Sequence, residues 1–395
     1  MNTTIALGAE QAARIADGVY LLRQANRWDV IKSRGQKGIN DSLKISGQFS
    51  MESSNRFGGS SGGNLSRSES GFGYIAEGVE DRKHELLIGI RGTITGADWV
   101  TDFQQTLHRG PSGFAVHRGF LRTFDSFEPA LRDYLRKAHK NPTIVHIVGH
   151  SLGGALATIT ADYLRVRGLA VKLYTFGSPR VGVDSFSEQL SNQVGAENMF
   201  RVSNQSDPVT MLPIFPFIHV PNNSAQYMIP SWGGVNFCNH FLERYIESCS
   251  RKDWKNLEAR VNGSWSEQAM AWLESASASG GAVQIYSAKA LWMIMKCLNH
   301  ILRSAAGDTY VAAGETIMGF ATVVDHLTMI LHRGILESQK IKNSATKLIS
   351  VIMKFLGRNF VAGTNLTVSF IRWVLDLLFR ALSTMAYQAL RLANM

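Results

Sequence analysis

The residues that point most clearly to chemistry lie in IVHIVGHSLGGALATI, residues 144–159. This stretch places Gly149-His150-Ser151-Leu152-Gly153 after a short apolar run typical of a buried strand and before an Ala-rich helical pattern. In that setting a G-x-S-x-G segment forms a tight turn that exposes its serine at the carboxyl end of a sheet. The five-residue pattern alone arises often by chance, but its context predicts Ser151 as a nucleophile.

A serine hydroxyl is a weak nucleophile near neutral pH and needs a base that is held in turn by an acid. In the fold that carries this type of turn, the acid and then the base follow the serine along the chain. Asp207 comes just after an apolar run at residues 199–203 and is the favoured acid. Asp184 is the main alternative, but it opens a predicted helix and is better interpreted as a cap.

Two histidines follow the acid closely enough to be candidates for the base. His219 lies inside the apolar run IHV, where a structural role is favoured. His240 follows the Gly- and aromatic-rich SWGGVNFCN and precedes an amphipathic helical pattern, so it lies on a segment that can reach Ser151. His240 is therefore the predicted base. The remaining downstream histidines belong to C-terminal helical patterns: His300, His326 and His332.

Acyl transfer also requires two fixed donors for the oxyanion. One predicted donor is the backbone amide of Leu152, which directly follows the nucleophile. The second is expected in LLIGIRGTITGADW, where Gly92 and Thr93 follow an apolar run and Thr93 offers both an amide and a hydroxyl. Chemistry of this kind requires no metal and no organic cofactor, and none is expected.

The segments around these residues alternate between short apolar runs and helical patterns. Alternation of this kind predicts an α/β fold with a mostly parallel sheet that is covered on both faces, here of the α/β-hydrolase type. The predicted strands are residues 73–79, 86–90, 144–148, 171–176 and 199–203, and the predicted helices are residues 118–140, 152–168 and 183–193.

The length of 395 residues allows more than one unit. The composition predicts a catalytic domain over residues 1–260, a linker over residues 261–282 that ends in SASASGG, and an all-α, basic amphipathic region over residues 283–395. Apolar side chains share helix faces in the last region, for example Leu291, Ile294, Met295, Leu298 and Leu302. Because no segment there reaches 18 uncharged apolar residues, a conventional transmembrane span is not expected.

The positive charge of the chain is concentrated near its C-terminus. The chain has 41 Lys and Arg against 31 Asp and Glu, a net charge of +10. Residues 281–395 hold 12 basic and 5 acidic residues, or +7, which leaves +3 for the other 280 residues. The basic residues are scattered among apolar stripes without a nucleic-acid-binding motif, so a lipid or membrane partner is favoured and nucleic acid is not expected.

The motifs together resemble those of the class 3 lipase family, typified by the small fungal triacylglycerol lipases. The resemblance covers about residues 70–250, through RGTITGADWVTD, VHRGF, GHSLGGALA, TFGSPRVG, SNQSDPVTMLP and NHFLERY. It implies a Ser151, Asp207 and His240 triad with Thr93 and Leu152 as the oxyanion hole. It also implies a lid after Thr93, although a half-buried surface helix would show the same pattern; the lid would include Trp99, Val100, Phe103 and Leu107.

Residues 208–242 contain no Asp, Glu, Lys or Arg but are rich in aromatic residues, including Phe215 and Phe217. Such a stretch between acid and base suits an apolar acyl groove. A proline-kinked core segment is the alternative, and the two interpretations are compatible. The family pattern is not matched everywhere, because the chain has His219-Val220-Pro221-Asn222 where related lipases show a His-Val-Gly-Glu type of stretch. The C-terminal helices have no counterpart in the small fungal lipases.

These observations predict hydrolysis of fatty-acyl esters, with phospholipid favoured over triacylglycerol because a basic helical region is attracted to anionic bilayers. The N-terminus lacks the pattern of a secretory signal, so synthesis in the cytoplasm and another export route are expected. In this the chain resembles lipase-type toxins that bacteria deliver by contact-dependent secretion, for which an immunity protein would be a partner. The alternative function is a basic membrane- or partner-binding module in which the hydrolase domain serves as a scaffold.

Overall fold

A computed structural model gives the fold of the chain. It describes residues 5–22, 48–50, 56–61, 68–92, 107–137, 142–221, 226–231, 237–257, 265–278, 281–306, 322–361 and 363–393. Four residues with predicted roles in the oxyanion hole or the lid lie outside these ranges: Thr93, Trp99, Val100 and Phe103.

One mixed sheet forms the centre of the fold. Its strands run in the order β1-β3-β4-β7-β8-β9-β10, and β2 pairs with β3. The strands from β4 onward pair in parallel, whereas β1, β2 and β3 form an antiparallel edge. The bounds are β1 Phe49–Ser50, β2 Arg56–Ser61, β3 Ser68–Gly78, β4 Glu85–Ile90, β7 Ile144–His150, β8 Val171–Phe176, β9 Met199–Asn204 and β10 Gln226–Ile229; β5 Leu107–Arg109 and β6 Ala115–His117 form a separate ribbon.

Helices cover the sheet and continue beyond it. In chain order they are α1 Ala9–Gly18, α2 Arg118–Lys137, α3 Leu152–Val166, α4 Asp184–Val194, α5 Leu242–Cys249, α6 Trp265–Ser277, α7 Ala288–Ala306, α8 Val323–Glu337, α9 Gln339–Phe355 and α10 Val368–Leu392. Two short 3-10 turns, Pro208–Met211 and Phe237–His240, follow β9 and precede α5.

The parallel strands are buried on both faces, which explains why they are short continuous apolar runs. In β4, Leu86 and Ile88 point to one core and Leu87 points to the other. The first core lies under α2 and α3, and the second lies under α1 and α5. The predicted fold class, an α/β-hydrolase sheet followed by a helical C-terminal region, is confirmed. Most of the predicted strand and helix bounds lie within a few residues of those observed, and 171–176 matches β8. β3 differs more, because it begins at Ser68 where the sequence predicted a start at residue 73.

The predicted linker at residues 261–282 is wrong in its central part, because α6 occupies Trp265–Ser277. Ala269, Leu273 and Ala276 recur at helical spacing, are buried, and face α7. The thiol of Cys297 on α7 donates to the carbonyl of Ala269 at 3.1 Å. Small side chains let the two helices approach closely, and the same small residues make the sequence resemble a flexible connection.

The C-terminal helices share a core with the catalytic region. Helix α10 packs against both 3-10 turns, and α7 packs against Pro208–Met211. The buried side chains of these helices join the cluster that fills the α2 and α3 side of the sheet. Across the ranges given above, every helix is too short or too polar to span a bilayer.

This shared core predicts that substitutions in α10 destabilise the chain according to their burial. Phe379 is fully buried and Trp373 is 41% exposed on the same helix. Phe379→Ala should lower the free energy of unfolding by about 3–5 kcal/mol because it leaves a cavity, and Trp373→Ala should lower it much less. Urea denaturation of the two variants measures the difference. Equal losses would show that α10 is not part of the core.

Candidate active site

Ser151 lies in a sharp turn between β7 and α3. Its backbone has φ of 58° and ψ of −132°, a left-handed conformation that non-glycine residues rarely adopt. Its amide donates to the carbonyl of Phe176 on the neighbouring strand at 3.0 Å, which holds the turn against the sheet. The structure therefore places Ser151 in the strained strand–turn–helix geometry of a nucleophile elbow.

The two glycines of the motif are required by close backbone contacts. A Cβ atom on Gly149 would lie 2.2 Å from the carbonyl oxygen of Gly153, and one on Gly153 would lie 2.3 Å from the carbonyl oxygen of Ile90. Real Cβ contacts are never that short. The glycines thus let α3 start directly beside the ends of β7 and β4, which brings the residues after β4 close to Ser151.

The three residues predicted as a triad are in hydrogen-bond contact. His240 Nε2 lies 2.9 Å from Ser151 Oγ, and His240 Nδ1 lies 2.8 Å from Asp207 Oδ2. All three side chains are buried. Because Asp207 accepts a hydrogen bond from Nδ1 of His240, the single proton of the neutral imidazole lies on Nδ1. Nε2 can then accept the proton of the serine hydroxyl. The arrangement can activate Ser151 for nucleophilic attack.

The carboxylate of Asp207 is held by more than the histidine. Asp207 caps the turn Pro208–Met211, with Oδ1 accepting from the amide of Val209 at 2.9 Å. Its Oδ2 also accepts from the hydroxyl of Tyr245 at 2.7 Å. A buried carboxylate is costly unless its oxygens are hydrogen-bonded, and these contacts supply that compensation.

Sequence reasoning missed Tyr245, which lies on α5 five residues after His240. Burial and then the charge of Asp207 raise the pKa of Tyr245 well above its ordinary value, so the phenol stays protonated as a donor. Its ring also lies against His150 and Phe176. The sequence signal that could have identified it is the NHFLERY segment. A short helix directly after His240 can place the side chain of Tyr245 next to Asp207.

His150 positions the base. Its Nε2 donates to the backbone carbonyl of His240 at 3.0 Å, and its Nδ1 accepts from the hydroxyl of Tyr20 at 2.9 Å. Burial, followed by the charge of His240, lowers the pKa of His150 well below its ordinary value, so the ring is neutral. The residue before the nucleophile thus fixes the backbone that carries the general base.

The predicted oxyanion donors are only partly described. Leu152 is the first residue of α3, where the helix offers its amide no carbonyl partner, so the amide is available to an oxyanion. The second predicted donor, Thr93, lies outside the described residues. Its neighbour Gly92 is close to the nucleophile, since a Cβ on Gly92 would lie 3.2 Å from Ser151 Cβ.

The described residues of the predicted lid and acyl groove do not form an open apolar surface. Phe215 and Phe217 are 3% and 1% exposed and belong to the main core, where Phe217 lies 5.3 Å from the ring of His117. Leu107 is also buried, in β5. The described part of the aromatic stretch is therefore core, which favours the alternative interpretation. A physical reason is that uncharged aromatic residues gain most by full burial.

The other downstream candidates have different roles. His219 lies near the acid loop but donates from Nε2 to the carbonyl of Thr210 at 2.9 Å, away from the serine. Asp184 opens α4 and lies 4.0 Å from Arg303. Among the described residues, no group of three His, Cys, Asp or Glu side chains could hold a metal ion.

Comparison with known proteins gives a family match over part of the chain. Residues 87–217 match the family model described as lipase (class 3). The chain is 38% identical over 165 residues to the secreted mono- and diacylglycerol lipase 1 of Fusarium solani, a stretch that covers 40% of this chain and 48% of that protein. It is 31% identical over 154 residues to a chloroplastic phospholipase A(1) of Arabidopsis thaliana, covering 33% and 34%. The chain thus spans at most about half of these relatives.

Solved structures also align with the chain. The mono- and diacylglycerol lipase from Aspergillus oryzae aligns over 64% of this chain and 86% of its own, with 19% identity and a TM-score of 0.43. The LIP2 lipase of Yarrowia lipolytica aligns over 57% and 79%, with 21% identity and a TM-score of 0.43.

The hydrogen-bond geometry predicts that Ser151 is reactive towards an organophosphorus probe of serine hydrolases. Ser151→Ala should remove labelling, and His240→Ala should slow it by about 10²–10⁴-fold because the general base is lost. His219→Ala, which removes an imidazole from the far side of the acid loop, is the matched control and should label normally. Mass spectrometry of the adduct locates the label, and fast labelling of His240→Ala would disprove the assignment of the base.

The hydrogen bond from the Tyr245 hydroxyl to Asp207 should contribute measurably to the free energy of unfolding. Tyr245→Phe keeps the ring but removes a hydrogen bond to a buried carboxylate, so the free energy of unfolding at pH 7 should fall by about 1.5–3 kcal/mol. Tyr74→Phe is the control, because the buried Tyr74 hydroxyl has no hydrogen-bond partner among the residues that the structure describes, so its removal should cost nothing. A loss in Tyr245→Phe no greater than that in Tyr74→Phe would contradict the proposed contact.

Proposed function

We propose that the chain is a serine carboxylic ester hydrolase acting on fatty-acyl esters of lipids, on the premise that residues 87–217 match the class 3 lipase family model. The observation that carries the proposal is the continuous hydrogen-bonded chain from Asp207 through His240 to Ser151 at a strained elbow. An intact chain of this kind favours an enzyme over a hydrolase fold that serves only as a scaffold.

The mechanism follows from the hydrogen bonds that join Ser151, His240 and Asp207. Ser151 Oγ attacks the acyl carbonyl while His240 Nε2 takes the hydroxyl proton, and the Leu152 amide donates to the oxyanion. The protonated imidazole, held by Asp207, then gives its proton to the leaving alcohol, which departs as an acyl-enzyme forms. Water enters, loses a proton to His240 and attacks the ester. Collapse of that adduct releases the fatty acid and returns the proton to Ser151.

The substrate class we favour is phospholipid. The relatives named above include mono- and diacylglycerol lipases and a phospholipase A(1), so both ester classes are compatible with the family. What favours phospholipid is a strip on α8, where Met329, Arg333 and Leu336 recur at helical spacing and are all well exposed, with Arg333 also paired to Glu337. Exposed apolar side chains beside a cation suit the interface of an anionic bilayer.

Two further expectations concern the setting of the enzyme. Delivery by a contact-dependent secretion system, with an immunity protein as inhibitor, stays a prediction from the sequence. A hydrolase that attacks phospholipids of another cell would need such an inhibitor in the cell that produces it, which is why the two expectations belong together.

Product analysis tests the proposal. The full chain should release fatty acid from phosphatidylglycerol vesicles faster than from phosphatidylcholine vesicles or from emulsified dioleoylglycerol. The preference for phosphatidylglycerol should shrink as salt rises, because salt screens exposed charges. Ser151→Ala is the matched control and should lose activity by a factor on the order of 10⁶.

The outcomes distinguish the general proposal, ester hydrolysis, from the more specific one, a preference for phospholipid. Release of fatty acid from acylglycerols alone would leave the ester hydrolase in place and overturn the phospholipid preference. A folded protein that cleaves none of these esters, or a Ser151→Ala variant that remains active, would overturn the hydrolase itself.

A further inference from the structure

A cavity of about 390 Å³ lies on the far side of the acid loop from Ser151. Its walls come from β9 and β10, from the turn Pro208–Met211, and from α7 of the C-terminal region. It is lined by four basic residues, Arg180, Arg201, Lys296 and Arg303, and Arg303 also lies 4.0 Å from Asp184 outside the cavity lining. The catalytic region supplies the first two and α7 supplies the others, so the cavity exists only where these parts of the chain meet.

Two of these cations have no acidic partner among the described residues. Arg201 is 6% exposed, and its Nε atom has no hydrogen-bond partner in the described part of the chain. Lys296, half-buried on α7, forms no ion pair with a described residue, and its ammonium lies 5.4 Å from the ring of Trp292. Both side chains line the cavity.

The charged side chains that line the cavity are all basic. No Asp or Glu occurs among the described residues that line it. Burial, together with the charges of Arg180, Arg201 and Arg303, lowers the pKa of Lys296 to about 7. Burial and the charge of Arg180 lower the pKa of Arg201 to about 9. In both cases the neighbouring charges are cations.

Gathering like charges in a cavity costs free energy unless a counter-charge is bound. We propose that this cavity is a binding site for a phosphate group, held by Arg201 and Lys296 with Arg180 and Arg303 around it. The site differs from the Ser151 centre in both its residues and its chemistry. The inference does not depend on the proposed ester hydrolysis.

The number of cations and the surrounding donors favour phosphate over a carboxylate. A phosphate group carries about −1.5 to −2 charges at pH 7 and several acceptor oxygens, which suits several cations that converge from different elements. Neutral polar groups complete the wall, among them Ser203, Gln226 and Asn299. A single carboxylate, with one charge, would not match both Arg201 and Lys296.

The cavity also has an opening and an apolar wall. His300 on α7 is exposed, and Gln226 and Met228 on β10 are half-buried, so the ligand can enter beside α7. Trp292, Met295 and Met211 form an apolar side. A phosphate attached to a lipid glycerol and a free phosphate compound share the chemistry of the cation cluster, and the experiment below separates them.

Binding is measured on the full chain carrying Ser151→Ala, so that no ester is cleaved. Inorganic phosphate and glycerol 3-phosphate, titrated calorimetrically at constant ionic strength, should bind and raise the thermal unfolding midpoint. Lys296→Met and Arg201→Met should each weaken binding by about 10- to 100-fold, because each removes hydrogen bonds to a charged group. Lys289→Met, an exposed lysine on the same helix outside the cavity, is the matched control and should bind phosphate normally.

A second readout separates a ligand site from a structural cluster. Without phosphate, Lys296→Met should raise the unfolding midpoint, because it removes a half-buried cation that other cations repel. With phosphate present, the order should reverse as the parent protein gains stability and the variant does not. Folded variants that bind phosphate as tightly as the parent, or a parent that binds neither phosphate compound nor phosphatidic acid, would overturn the proposal.

Vesicles identify the source of the phosphate. Co-sedimentation with phosphatidylcholine vesicles that contain phosphatidic acid should fall in Lys296→Met but not in Lys289→Met if a lipid headgroup enters the cavity. Tight binding of glycerol 3-phosphate with equal co-sedimentation of both variants would instead support a free phosphate compound as the ligand. Because none of these readouts needs turnover, a chain that hydrolyses no lipid could still hold phosphate here, and an active lipase could fail to hold it.

Discussion

The contact on which the site depends is the buried carboxylate of Asp207. It accepts hydrogen bonds from His240, Tyr245 and the amide of Val209. These donors lie on three segments, so one charged group fixes the turn after β9, the turn that carries the base, and helix α5. Removing any donor would leave part of a buried charge without compensation, which is far more costly than losing a neutral contact. The acid therefore organises the site as well as orienting the imidazole.

The sheet positions only the nucleophile directly. Ser151 is fixed locally by β7, α3 and the bond from its amide to β8, whereas the acid and the base lie on two 3-10 turns outside the sheet. Helix α10 packs against both turns. The C-terminal helices thus support the half of the triad that the sheet does not hold. Rigid support of this kind matters because small displacements of a catalytic base cost large factors in rate.

The sequence predicts local features well and tertiary ones poorly, for physical reasons. Ser151 is recognisable because the elbow is formed by residues adjacent in the sequence: a strand, two glycines and a helix. The order of acid and base along the chain in this fold then reduces the number of candidates for each. Tyr245 is not recognisable as a donor, because only the folded chain brings it to Asp207. Phe215 and Phe217 suggested a groove, since an apolar aromatic run has the same composition whether it faces a ligand or the core. The linker was misread because small residues serve close helix packing as well as flexible coil.

Net charge is the property for which sequence and structure diverge most. The excess of +7 in residues 281–395 suggests a basic surface, but several of these side chains form ion pairs or hydrogen bonds with other residues of the chain. Arg372 pairs with Asp325 and Lys347 with Glu274. Lys354 Nζ donates to the carbonyl of Ala276 at the end of α6, at 2.8 Å. Lys296 faces the cavity, where its charge acts at short range in a poorly solvated site. Attraction to a bilayer therefore depends on exposed cations beside apolar side chains, such as Arg333 beside Met329, whereas the proposed phosphate site uses the cations that line the cavity. A count of charges cannot distinguish these two effects, because it contains no information on which side chains share a cavity.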